Sequence, residues 1–91
     1  MAFRFIKNIQ FTKLIKADGR LKEFNFTKPN GLEQGVFSVD VIDERGARII
    51  FSMEKVDNTW TIVKQPLPDW ILEKEKDFNE FIEEELKLLS S

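Results

Sequence analysis

The sequence contains no cysteine, no histidine and no tyrosine. Without cysteine there is no disulfide, no thiolate metal site and no thiol nucleophile. Without histidine the commonest general base and the commonest zinc ligand are missing. Catalysis would have to rest on carboxylates, lysines or hydroxyls, so the chain reads as non-catalytic, with no cofactor and no metal expected. No run of about 18 apolar residues is present, which argues against a membrane span. The opening MAFRFIKNIQFTKLIK carries Arg4, Lys7, Lys13 and Lys16 but not the continuous apolar core of a signal peptide, and cytoplasmic residence is the expectation. Gly19, Gly31, Gly35 and Gly46 never fall into a GxGxxG or P-loop spacing, so no phosphate cradle is supported. The acids of DVIDERGARI lack the alternating ligand pattern of a calcium loop.

What is present suits one soluble domain. The chain has 91 residues, 42% of them apolar and 33% charged, and nine phenylalanines supply large side chains for a core. The residues alternate over most of the length. In FRFIKNIQFTKLI, Phe3, Phe5, Ile9, Phe11 and Ile15 share one parity, which predicts a strand, or two strands broken near Lys7 and Asn8, in preference to an amphipathic helix. Asp18-Gly19 is a two-residue hairpin signal because a type I′ turn needs positive φ at both central positions. Closing it there sets Phe11 opposite Phe26, and Lys28–Gly31 ends the second strand.

The segment VFSVDVIDERGARIIFSME predicts a second hairpin, with Gly46 in a glycine bulge. Pairing Asp43 with Ala47 stacks Val41 on Ile49, Val39 on Phe51 and Phe37 on Met53, and a one-residue slip would break all three pairs. A turn at Asp57-Asn58 then places Ile62 opposite Met53. Pro66 and Pro68 end the last strand, since proline donates nothing to a ladder and disfavours helix in the preceding residue.

A helix is predicted from about Asp69 to 89, with Trp70, Ile71, Phe78, Phe81, Ile82, Leu86 and Leu89 on one side, interrupted by Lys74, Glu75 and Glu85. Asp77 with Glu80 reads as a capping box and places a break near residue 76. The fold class is therefore α+β: a single domain over 1–91, with an antiparallel meander of four to five strands over about 3–64, a connector over 65–68, and one C-terminal helix packed on one face.

Net charge is −2, but the ends differ in sign: Arg4, Lys7, Lys13, Lys16, Arg20 and Lys22 precede residue 23 with Asp18 as the only acid, whereas residues 69–87 are strongly acidic. The acids of the helix read as a solvated face. Lys13, Lys16, Arg20 and Lys22 form a candidate basic patch around the first hairpin, read either as protection of a sheet edge or as a contact for phosphate. A sheet meander followed by one helix resembles the layout of PUR-repeat domains over about residues 12–89, which implies single-stranded nucleic-acid binding. The resemblance is one of layout, with no motif attached, and no site residue is carried over from it.

One helix covers only one side of such a sheet. The other side, with Ile42, Arg48, Ile50 and Val63, is the candidate surface for a protein partner or a second copy. The reading is a non-catalytic interaction module. Weak single-stranded nucleic-acid binding through the basic hairpin, or service as an accessory subunit, is the alternative.

Overall fold

The computed structural model describes residues 9–28 and 35–90. The expectations for Phe3 and Phe5, for a break at Lys7 and Asn8, and for the turn at Pro29–Gly31 lie outside the described residues. Five strands, β1 (Ile9–Ala17), β2 (Arg20–Lys28), β3 (Val36–Ile42), β4 (Arg48–Val56) and β5 (Thr59–Ile62), form one antiparallel sheet in sequence order. Two helical segments follow, α1 (Asp69–Leu72) and α2 (Glu75–Ser90).

The turns explain the order. Asp18 and Gly19 have φ of 56° and 78°, and Asp57 and Asn58 have 51° and 66°, so both two-residue loops take the doubly left-handed conformation that matches strand twist. Between β3 and β4, the Asp43 carboxylate accepts the backbone N–H groups of Arg45 and Ala47 at 2.9 and 2.8 Å, and Gly46 (φ 83°) closes the bulge. These turns fix the register. Phe11 lies opposite Phe26, Val39 opposite Phe51, Phe37 opposite Met53, and Met53 opposite Ile62.

Because side chains alternate between the faces, one face gathers Ile15, Phe24, Phe26, Phe37, Val39, Val41, Phe51, Met53 and Trp60, all buried. The helices complete this inner layer. Phe78 of α2 is fully buried, with ring centroids 5.1 Å from Phe24, 5.9 Å from Phe26 and 5.6 Å from Phe51. Ile71 and Ile82 are likewise closed off from solvent. Burying each such side chain is worth about 1.5–3 kcal/mol.

The helix is not continuous. It opens at Pro68, whose extended φ and ψ of −61° and 150° place it as the cap, with Asp69 as a first-turn acid. It breaks at Glu73 and Lys74, earlier than the Asp77–Glu80 pattern suggests, and α2 restarts with the Phe78 N–H donating to the Lys74 carbonyl at 2.9 Å. No glycine or proline marks the break. Packing places it: α1 sets Trp70 edge-on to Phe24 at 6.4 Å, while Glu75 at the start of α2 reaches β5.

Candidate interaction surface

Two features position the site, a sealed edge and an open face. At the edge, the Trp60 N–H donates to Asn79 Oδ1 and the Ile62 N–H to Glu75 Oε2, each at 2.7 Å. These are the β5 amides that point away from β4. Glu75 and Asn79 stand one helical turn apart, and alternate strand amides stand at a comparable spacing, so one side of α2 closes the β5 edge with two acceptors. This explains why Glu75 interrupts the apolar side of the helix. It also ties α2 to the inner layer, where Lys55 of β4 meets Glu83 at 3.5 Å.

The opposite face of the sheet carries the side chains of the other parity, and no described element packs over it. Its large apolar residues are exposed: Leu14 by 65%, Leu21 by 68%, Ile42 by 51% and Ile50 by 52%. The registers order them. Ile42 pairs with Arg48 and Asp40 with Ile50, so Ile42 and Ile50 are diagonal neighbours. The Val63 N–H donates to the Ser52 carbonyl at 2.8 Å, which puts Val63 on the next diagonal step. Carrying the Asn25–Asp40 pairing on toward the start of β2 sets Glu23 opposite Ile42 and Leu21 on its diagonal, and the 3.5 Å contact of Arg20 with Glu44 agrees with that continuation. Leu21, Ile42, Ile50 and Val63 thus form an oblique apolar stripe over four strands.

A polar chain crosses this line between Ile42 and Ile50. Thr12 Oγ1 donates to Asn25 Oδ1 at 2.7 Å, Asn25 Nδ2 donates to Asp40 Oδ1 at 3.0 Å, and Arg48 Nη2 donates to Asp40 Oδ2 at 3.1 Å. Each member fixes the next, so Asn25 presents a defined amide orientation and the Asp40 carboxylate is held from both sides. These side chains, with Gln10 and Thr27, line a shallow depression of about 420 Å³.

All four residues of the candidate interaction surface, Ile42, Arg48, Ile50 and Val63, fall together on this face. The four residues of the candidate basic patch do not share one. Lys13 and Lys22 point to the inner side, with their ammonium groups 5.3 Å from the Phe81 ring centroid and 4.9 Å from that of Trp70. Lys16 projects from the outer face, and Arg20 pairs with Glu44 at the sheet end. Strand parity carried this signal, since Lys13 shares the parity of Phe11 and Ile15, and Lys22 that of Phe24. The space beside Trp70, about 440 Å³, is lined by Lys22 and Arg45 but also by Asp18, Asp43 and Glu44, and these signs offset one another. At the end of β2, burial lowers the pKa of Lys28 from its ordinary value.

Among the described residues no group of three or more acids converges as a metal site, and no helix is long and apolar enough to cross a membrane. Comparison with protein-family models, curated proteins and solved structures finds no match to this chain.

Proposed function

We infer that the protein is a non-catalytic interaction module that binds a protein partner through the outer face of its sheet, as a cytoplasmic domain or an accessory subunit of a larger assembly. The observation that carries this is the oblique stripe of Leu21, Ile42, Ile50 and Val63. An antiparallel sheet with one solvated face ordinarily turns polar side chains outward. Here a line of aliphatic side chains, two of them isoleucines more than half exposed, crosses a face that no described element covers. Contiguous apolar surface rimmed by polar groups is the usual mark of a binding site. The fixed Thr12–Asn25–Asp40–Arg48 chain sets ordered polar groups among these aliphatic side chains, and the missing histidine, cysteine and tyrosine favour binding over chemistry.

The test is an affinity capture from the native host with the wild-type chain and with the Ile42→Glu/Ile50→Glu variant as bait. Both sites are already solvent-exposed, so the variant should keep its circular dichroism spectrum and melting temperature. Retained proteins should be lost from the variant. An unchanged retained set with a correctly folded variant would remove the outer face as the binding surface.

A further inference from the structure

We propose that the inner end of the sheet holds a site for a small flat organic carboxylate, with Lys22 and Arg45 taking the charge and Trp70, Pro68 and Ile49 the apolar body. This site is separate from the outer face and does not rest on the reading of that face. In a meander the β1–β2 and β3–β4 turns lie at the same end of the sheet. Pro68 and Trp70 face them across a space of about 440 Å³, a size that suits a small-molecule ligand. Its walls are held by the fold itself. Pro68 is extended at the cap of α1, and the Trp70 ring rests edge-on to Phe24 at 6.4 Å. The Asp43 carboxylate pins the turn that carries Arg45.

Lys22 carries the argument. It lines this space and is only 7% exposed, yet among the described residues its ammonium makes no hydrogen bond and no ion pair. What faces it is the Trp70 ring, 4.9 Å away. A ring face offsets only part of the cost of burying a charge, and a carboxylate offsets more. The signs around the space offset in sum but not in availability. Asp43 already accepts the Arg45 and Ala47 N–H groups, Glu44 is paired with Arg20 at 3.5 Å, and Asp18 is exposed to water at the rim. The Arg45 guanidinium has no ion-pair partner among the described residues. The two uncommitted cations therefore select an anion. Apolar walls and the lack of a glycine loop make that anion a carboxylate on a flat apolar body rather than a phosphate.

The experiment is an amide NMR titration of the full chain with benzoate, against benzamide as the neutral arm and benzylamine as the cationic one. Benzoate should bind with a dissociation constant of about 1 mM or tighter, the strength of a small ligand held by a charge and an apolar wall. The Trp70 indole N–H and the Lys22 and Arg45 amides should shift, and the signals of Trp60 and Asn25 should stay. Lys22→Met keeps the aliphatic stem beside Trp70 and removes the charge. It should weaken benzoate about tenfold or more, the factor of a charge-assisted hydrogen bond, and leave benzamide unchanged. Lys22→Arg should restore most of the loss. Circular dichroism checks that each variant is folded. No shift up to about 5 mM benzoate overturns the site. So does equal affinity for benzamide or benzylamine, or a set of shifts centred on Asn25 and Asp40 of the outer face. A folded Lys22→Met with wild-type affinity for benzoate overturns it as well. If Lys22→Met does not fold, Arg45→Gln on its exposed turn decides. A reduced preference for benzoate over benzamide supports the site, and an unchanged preference overturns it.

Discussion

If Glu75 and Asn79 close the β5 edge, removing them together should unfold the protein from that edge. Asn79→Ala strips the acceptor from the Trp60 amide, on a strand residue that is itself 1% exposed. A buried donor left without a partner costs about 1–3 kcal/mol, and the site is only part-buried, which favours the lower half of that range. Alanine returns roughly half a kcal/mol through its higher helix propensity. Glu75→Ala removes a charged acceptor from the Ile62 amide, worth about 1.5–3 kcal/mol, and an acid from the first turn of α2, worth about 0.3–1 kcal/mol at the positive end of the helix dipole.

The double variant should lose roughly 3 kcal/mol, and since the two contacts share one strand their effects need not add. For a domain of this size, that corresponds to a fall in melting temperature of roughly 12–24 °C. Urea titration followed by the fluorescence of Trp60 and Trp70 measures the loss. Amide hydrogen exchange localises it, with Trp60 and Ile62 losing protection before Val39 and Phe51. Asn79→Asp keeps an acceptor and should retain most of the stability. A double variant within about 0.5 kcal/mol of the wild type, the range of ordinary surface substitutions, would refute the seal.

Phe78→Ala should cost about 3–5 kcal/mol in the same titration, because its ring touches three other phenylalanines from a fully enclosed position and leaves a cavity that sheet and helix cannot both close. Lys28 should make stability pH-dependent. Its folded pKa lies below the unfolded value near 10.5, so between the two the unfolded chain binds more protons, and stability rises with pH across that window. The stability difference between the wild type and Lys28→Met should therefore move in favour of the wild type as pH climbs toward 10.5, and a difference flat with pH would count against it.

Much of the sheet was legible because its signals agree with one another. The Asp18-Gly19 and Asp57-Asn58 turns demand left-handed backbone, and alternation of large apolar residues leaves only one register for each hairpin that buries them all. Phe11 opposite Phe26 and Phe37 opposite Met53 follow from turn chemistry and parity together. The helix break is legible only approximately: the Asp77–Glu80 pattern places it near residue 76, whereas the residues at 73 and 74, where it falls, are ordinary helix formers and the restart is set by where Glu75 meets Ile62. The four residues of the candidate basic patch are near one another in sequence, but parity sends Lys13 and Lys22 inward over Phe81 and Trp70. The seal of β5 left a trace in the Glu75 that spoils the apolar side of α2, but an acid at a helix start has commoner explanations. The oblique stripe was half visible: Ile42, Ile50 and Val63 stand out on the mixed face, but their alignment with Leu21 depends on how three separate hairpin registers add up across the sheet.

The sealed edge and the open face are linked. Glu75 and Asn79 hold α2 to β5, Phe78 holds it over β2 and β4, and Glu83 holds it near Lys55, so the helix is fixed at several points along the inner layer. Moving it to cover the outer face would expose two strand amides and the centre of the aromatic core at once, a loss comparable with the whole stability of a domain this small. The aliphatic stripe is therefore not a surface that α2 shields by rearrangement. On the proposed reading of the outer face as a binding surface, covering these side chains falls to a partner and not to α2.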